Sequence, residues 1–441
     1  MEILIKGAQF ILSLSFLVIL HELGHFIPAK IFKTRVEKFY LFFDPYFSLV
    51  KKKVGGTEYG IGWLPLGGYV KIAGMIDESM DTEQMKKDPQ PWEFRSKPAW
   101  QRLIIMIGGV TVNVILAIII YAMILFTWGT ENVETKNAKY GIEVSEYAES
   151  FGLKDGDQIL KVDGEYLSRI QDVNYELVLG AKNIQVGRNG EIISIDIPED
   201  LTQVVLGDKK KGRLVSMAIP FFVGEVMDGG LAEKHGLQKG DRMVAINNIS
   251  TLSATMFQTE MVKHGDQEIS LHIQRDEQMI IEKIQLGEDA KLGIMNDQNL
   301  GSYFDVSVHN YGFMESIPAG YDLTISTLGK YVEQVKLIFN PETQAYKHLG
   351  GFLTMGKQMS PTWDWYRFWN FTAFLSIVLA FMNILPIPAL DGGHVMFLLY
   401  EVITGRKPHE KVMEYAQMAG IIFLLGLMVL ANGNDIIGLF N

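Results

Sequence analysis

The sequence contains no cysteine. Its 441 residues therefore carry no disulfide framework, and a metal site in this chain has to use histidine, aspartate or glutamate. Without thiolate ligands, copper(I) and iron–sulfur centres are disfavoured.

An excess of positive charge is also missing. The net charge is −11 at pH 7, which argues against nucleic acid as a partner.

The first apolar run, which begins near Ala8, has no strongly basic segment before it and no small-residue cleavage site after it. We therefore expect this run to remain in the protein as a helix rather than to be removed as a signal peptide.

Charged residues make up only 21% of the chain, whereas hydrophobic residues make up 48%. This balance predicts a multi-domain membrane protein with several spans and with soluble domains. Basic residues after the first apolar run and before the fourth place those loops in the cytoplasm and both termini outside. The four predicted spans are the run that ends near Ile31, Leu103–Trp128, Phe368–Leu385 and Tyr415–Leu430.

The cytoplasmic half of the first predicted span contains the motif His21-Glu22-Leu23-Gly24-His25. Two histidines four residues apart on a helix share one face, so both imidazoles can reach one ion. Glu22 lies where a carboxylate can take a proton from a metal-activated water. A glutamate at membrane depth costs about 3 kcal/mol, which favours a functional role. The alternative is a fortuitous pair of polar residues at a helix end.

The third predicted span ends in a stretch where prolines and glycines bracket Asp391. This pattern predicts a broken helix that lines a polar site, in the same half of the membrane as His25. Two histidines and one carboxylate, with one position open for water, form the ligand set of a catalytic zinc. His394 is a competing ligand, but the Pro-x-Pro before Asp391 and the Gly-Gly after it favour Asp391.

Asn383 lies on the same broken segment. Its amide could hold substrate backbone or stabilise an oxyanion. The alternative is that it hydrogen-bonds carbonyl groups that Pro386 leaves free.

Residues 36–75 combine short apolar runs with glycine and proline, including Gly67-Gly68-Tyr69-Val70. Such punctuation predicts hairpin strands and not a spanning helix. One interpretation is a re-entrant β-loop that offers an edge to an extended peptide. The other is an interfacial hairpin on the cytoplasmic side.

A repeat occupies the polar region between the second and third spans. Phe151–Gly164 and His235–Asn248 share a G-L-x-x-G-D turn followed by an alternating apolar strand. These residues resemble the signature of PDZ domains, which take peptides by strand addition. We predict two α+β PDZ-like domains, at 131–215 and 216–305. A linker region with an amphipathic helix follows at 306–365, and the flanking membrane regions are 1–130 and 366–441.

Taken together, the histidine motif, the Gly67-Gly68-Tyr69-Val70 loop and the Asn383–Gly393 segment resemble the site-2 protease family of intramembrane metalloproteases. The resemblance implies zinc held by His21, His25 and Asp391, with Glu22 as catalytic base. It also implies that Asn383, the Pro386 region and the re-entrant loop contact an unwound substrate helix. The chain departs from the family where Gly109 precedes Val110 and Gly351 precedes Phe352, because the family carries a Gly-Pro pair at each place.

The resemblance further implies a location and a class of substrate. The location is the inner membrane of a bacterium, with the PDZ-like tandem in the periplasm and the active site in the cytoplasmic half of the bilayer. Family substrates are single-span membrane proteins, including anti-sigma factors trimmed first by another protease and remnants of signal peptides. The tandem acts there as a size filter.

Two other functions are compatible with parts of this pattern. A membrane sensor or scaffold could carry the PDZ-like pair with a structural metal, but such a site needs no base beside its ligand, so Glu22 favours the enzyme. An ion transporter could also use intramembrane charges. Transporters usually repeat their spans, whereas only the soluble part repeats here.

Overall fold

A computed structural model describes residues 2–75, 88–207, 213–297, 301, 304–341 and 343–440. The charged, proline-containing segment 77–97, which the sequence predicts to be a surface connection, lies partly outside these residues. The helices of the described part are α1 Glu2–Ile31, α2 Ala99–Trp128, α3 Glu146–Ser150, α4 Ile170–Leu179, α5 Leu201–Gly207, α6 Leu231–Lys234, α7 Ala254–Val262, α8 Phe313–Phe339, α9 Phe352–Lys357, α10 Trp365–Ile384, α11 Asp391–Thr404 and α12 Glu410–Phe440.

Strands fall mainly between α2 and α8. Their bounds are β1 Val36–Val54, β2 Thr57–Ile72, β3 Thr130–Val133, β4 Ile142–Val144, β5 Gln158–Val162, β6 Asn183–Arg188, β7 Glu191–Asp196, β8 Val215–Met217, β9 Phe221–Val226, β10 Arg242–Ile246, β11 Ile249–Ser250, β12 Glu268–Arg275, β13 Gln278–Gln285, β14 Ile294–Asn296 and β15 Val306–His309.

The chain divides into two compact units. The first consists of Met1–Gly129, Asn310–Lys336 and Tyr346–Asn441, and the second of Thr130–His309 with Leu337–Ala345. Among the described residues of the first unit, four helices are long and apolar enough to cross a membrane, as the sequence predicted. They cover Glu2–Ile31, Ala99–Trp128, Trp365–Ile384 and Lys411–Ile437.

Helices α1 and α2 approach each other closely because glycines meet at their contact. A side chain on Gly24 would collide with the backbone of Gly108, and one on Gly108 would collide with the backbone of Gly24. Such contacts are typical of helices that pack in membranes, where small residues let the backbones touch. The α1–α10 contact adds a buried hydrogen bond of 2.9 Å between the hydroxyl groups of Ser13 and Thr372.

Strands β1 and β2 form an antiparallel hairpin whose turn contains Gly55 and Gly56, both with positive φ. The hairpin folds back on itself. Lys38 lies opposite both Lys71 and Glu58, and Leu41 lies opposite both Gly68 and Ile61. Residues 38–41 are therefore flanked on both sides, whereas residues 64–72 form an edge on which no other described strand pairs.

The chain between α10 and α11 is broken at the predicted prolines. Ala389 has a φ of +81°, and its backbone N–H donates a hydrogen bond of 3.2 Å to the buried side chain of Gln417 on α12. Gly392 and Gly393 lie against the backbone of Leu385–Pro388, where a side chain would collide. This packing fixes the start of α11 and thus the position of Asp391.

Helix α8 packs beside α2 and α10 in the first unit. Gly320 lies against the backbone of Ala122, and the Tyr331 ring makes edge contacts with Phe374 and Phe381. Its amphipathic character was predicted from the sequence, but these partners were not.

The second unit contains two modules built alike. In the first, β5, β6 and β7 form one sheet and β4 pairs with β8. The second has the strand order β13-β12-β10-β9-β14, with β11 beside β10. Each module has its own apolar core, one around Leu153 and Leu177 and the other around Met243 and Leu271.

The aspartate of each G-D turn makes the same buried ion pair. Arg188 contacts Asp157 at 2.7 Å in the first module, and Arg275 contacts Asp241 at 2.7 Å in the second. Each aspartate also accepts a hydrogen bond from the backbone amide three residues before it. The sequence repeat is thus a repeat of the same turn geometry.

Candidate metal centre

The structure brings His21, His25 and Asp391 together. The two Nε2 atoms are 3.3 Å apart, and Oδ2 of Asp391 lies 3.3 Å from Nε2 of His21 and 3.2 Å from Nε2 of His25. Among the described residues, this is the one cluster of three histidine, aspartate or glutamate side chains whose ligand atoms converge. Helix α1 supplies the histidines from one face, and the first residue of α11 supplies the carboxylate.

The spacing of the three atoms fits zinc. Four ligands held tetrahedrally at the usual zinc distances lie about 3.3–3.4 Å from one another. The observed separations of 3.2–3.3 Å are close to this value. Oδ2 of Asp391 is buried and makes no hydrogen bond of good geometry, so it is an acceptor that a metal ion would satisfy.

Helix α2 contacts the far side of both imidazoles. Nδ1 of His25 lies 2.8 Å from the carbonyl oxygen of Ile105, to which it can donate, and this leaves the Nε2 lone pair for a ligand. Nδ1 of His21 lies 3.1 Å from the side-chain amide of Asn113. Asn113 is not among the site residues predicted from the sequence. The sequence feature that could have identified it is a polar residue one turn after Gly109 on an otherwise apolar helix.

Glu22 faces the cleft between α1 and the hairpin. A Cβ atom at Gly68, on the edge strand, would lie 3.7 Å from Cγ of Glu22. Gly68 lies so close to Val18 that a side chain there would collide with it. The edge strand therefore holds the predicted base beside the histidines.

A cavity of about 920 Å³ opens at this point. Its wall includes the three clustered residues and Glu22, together with the predicted substrate-binding residues Asn383, Gly67, Gly68 and Tyr69. Pro386 is not among the lining residues. His394 lines the cavity but is not part of the converging cluster.

The hairpin contributes several polar side chains to the cavity wall, among them Lys38, Asp44 and Tyr69. The Tyr69 hydroxyl donates a hydrogen bond of 2.8 Å to Asp44, and Nζ of Lys38 lies 4.0 Å from the same carboxylate. Burial and the neighbouring Asp44 raise the pKa of the Tyr69 hydroxyl, so it remains a neutral donor at physiological pH.

Apolar helices long enough to cross a membrane, together with a converging His-His-Asp cluster and a glutamate in one cavity wall, are the features of a membrane-embedded metallopeptidase. Within that class, the chain belongs to Peptidase family M50, the site-2 proteases, because the family's sequence model matches residues 9–427. The chain is therefore an intramembrane zinc metalloprotease, as its resemblance to the family predicted.

Relatives of similar length support this assignment. Protease RseP of Yersinia pestis is 29% identical over 99% of each chain. The regulator of sigma E protease of Haemophilus influenzae is 27% identical over the whole of both chains. A Campylobacter jejuni protein named as a zinc metalloprotease is 28% identical over 98% of this chain and 96% of its own. These relatives indicate a bacterial membrane protein.

Proposed function

We propose that the chain hydrolyses peptide bonds within the transmembrane segments of single-span membrane proteins, with zinc held by His21, His25 and Asp391. The observation that carries the proposal is the convergence of these three side chains at separations of 3.2–3.3 Å, beside Glu22 and in the wall of a large cavity. Zinc bound there supplies a Lewis acid that polarises an amide carbonyl and activates water near neutral pH.

The chain's own residues supply the remaining chemistry. Glu22 takes a proton from the attacking water and passes it to the leaving amine. Its carboxylate lies in the wall of the same cavity as the three clustered side chains. The amide of Asn383, whose Nδ2 atom lies 3.4 Å from Nε2 of His21, is close enough to donate to the substrate carbonyl at the same corner of the cavity.

A substrate helix hides its amides in internal hydrogen bonds, so it must unwind before hydrolysis. The edge at residues 64–72 offers backbone groups with which an unwound segment can pair. We therefore infer that the hairpin is a re-entrant β-loop that pairs with substrate at the cavity.

The two modules of the second unit are, in this proposal, PDZ-like domains that lie in the periplasm. The active site then lies in the cytoplasmic half of the inner membrane. The membrane regions 1–130 and 366–441 and the linker region 306–365 flank the two domains, with the bounds that the sequence predicts. Anti-sigma factors already trimmed by another protease and remnants of signal peptides are the substrates that such an arrangement would admit. Larger periplasmic domains would be excluded by the tandem.

The ligand set is tested by comparing Asp391→Ala with His394→Ala. We expect Asp391→Ala to lower zinc affinity by more than about 100-fold. Losing a ligand should cost more than losing a hydrogen-bond partner of a ligand, which typically costs about 10–100-fold. His394→Ala should keep its zinc, because His394 lines the cavity but does not converge on the cluster. Both expectations are checked by measuring the zinc content of the two purified variants. The reverse result would make His394 the third ligand.

The filter is tested by deleting residues 131–305. Thr130 lies opposite His309 in the β3–β15 pair, so residues 306–308 are left to connect two positions that are already adjacent. We expect cleavage of a single-span substrate with its intact folded domain to rise at least about tenfold, because the excluding element is gone. Cleavage is measured in membranes, with Glu22→Gln in the same deletion as the control. Unchanged selectivity would remove the filter from the proposal.

A further inference from the structure

We propose that Asn113 is a positioning residue of the metal centre. Its side-chain oxygen accepts the Nδ1 proton of His21 and thereby keeps Nε2 of His21 available as a zinc ligand. The inference rests on the ligand set proposed above and adds a residue from α2, which the sequence motifs did not include.

One face of α2 serves both imidazoles. Ile105, Gly109 and Asn113 are spaced four residues apart and therefore line one face of the helix. The Ile105 carbonyl contacts Nδ1 of His25, and the Asn113 amide contacts Nδ1 of His21. Gly109 lies between them, directly against both rings. Each histidine thus has a partner on α2 on the side away from the cluster.

The chemistry of imidazole determines which amide atom is needed. A neutral imidazole has one N–H group and one nitrogen lone pair. If Nε2 of His21 binds zinc, its proton is on Nδ1 and requires an acceptor. Of the two polar atoms of the Asn113 amide, only Oδ1 can accept it.

The surroundings of Asn113 permit this orientation. Nδ2 lies 3.1 Å from Nδ1 of His21, and Oδ1 is buried without a hydrogen-bond partner. Turning the amide by 180° about its last side-chain bond exchanges the two atoms. In either orientation, one of the two amide atoms has no hydrogen-bond partner. Zinc binding at Nε2 of His21 therefore decides which orientation of the amide is favoured.

The backbone at Asn113 is held independently of this side chain. Its carbonyl oxygen accepts a hydrogen bond of 2.7 Å from the hydroxyl of Ser376 on α10, and the residue is completely buried. Substituting the side chain therefore leaves the α2–α10 contact in place. The effect of such a variant on zinc can then be separated from an effect on packing.

The experiment compares Asn113→Leu with Asn113→Asp in the full-length protein in detergent. Zinc affinity is measured by competition with a zinc-chelating indicator. We expect the leucine variant, which is similar in size but has no acceptor, to bind zinc about 10–100-fold more weakly. The aspartate variant should bind at least as tightly as the parent, because a carboxylate behind a ligating histidine is an effective acceptor.

Two controls make the result specific. Thr372→Val removes another buried hydrogen bond of the bundle, the one to Ser13, and should leave zinc affinity unchanged. Thermal unfolding of every variant with excess chelator reports on folding without zinc. Parental affinity in Asn113→Leu, or equal weakening in both Asn113 variants, would overturn the role of Asn113. Retention of zinc by Asp391→Ala would instead overturn the proposed ligand set, so the two failures are distinguishable.

Discussion

The Glu22→Gln variant should keep its zinc and lose cleavage activity by about 10²–10⁴-fold, which is the usual contribution of a general acid–base group. Glutamine has nearly the same shape and volume as glutamate, so it fits the same space on α1. It cannot take a proton from water at neutral pH. The loss should therefore fall on the chemical step and not on the metal or the fold.

The measurement is cleavage of a single-span substrate in membranes, with the zinc content of the same preparation determined in parallel. Glu58→Gln is a suitable control. Glu58 lies on the β1–β2 hairpin and accepts a hydrogen bond of 2.7 Å from the Tyr40 hydroxyl, which a glutamine can also accept. This control should cleave at nearly the parental rate. Equal cleavage by Glu22→Gln and the parent would rule out the proposed role of Glu22.

The Gly109→Ala variant should lose both zinc and activity although only one methyl group is added. A Cβ atom at this position would meet Nε2 of His25 and would lie 2.6 Å from Cε1 and 2.9 Å from Nδ1 of His21. These distances are too short for any contact, so either the rings or the two helices must move. Because both rings are affected at once, we expect zinc affinity to fall by at least about 100-fold, beyond the effect of one lost hydrogen bond.

Gly7→Ala provides the matched control. A Cβ atom at Gly7 on α1 would meet nothing within 4 Å. The same substitution there should leave zinc and activity unchanged and should stabilise the helix by up to about 1 kcal/mol. Zinc content, cleavage and thermal unfolding with excess chelator are compared for both variants. Parental zinc content in Gly109→Ala would contradict the close approach of α2 to the histidines.

The sequence alone was sufficient where the information is local. The four apolar helices are set by the length and hydropathy of each run. The repeat at Phe151 and His235 predicted two similar modules, because the G-D turn needs glycine and aspartate at fixed spacing. His21 and His25 share a face because both belong to one helical turn. The prolines before Asp391 predicted a helix break from the sequence alone, because proline cannot donate a helix hydrogen bond.

Tertiary structure decided how these local parts meet. The hairpin folds back on itself so that residues 38–41 pair on both sides, and this arrangement depends on several register shifts between β1 and β2 that the sequence analysis did not predict. The contact of α8 with α2 and α10 depends on which helix faces are available.

The metal centre shows the same division between sequence and structure. The sequence determined that the chain carries two histidines and a glutamate on one helical turn, and an aspartate at a helix break. Only the tertiary structure decided that α2 lies close enough for Ile105 and Asn113 to contact the histidines. That contact depends on two helix backbones touching at Gly24 and Gly108, and such an approach is a property of the packed bundle and not of any single segment.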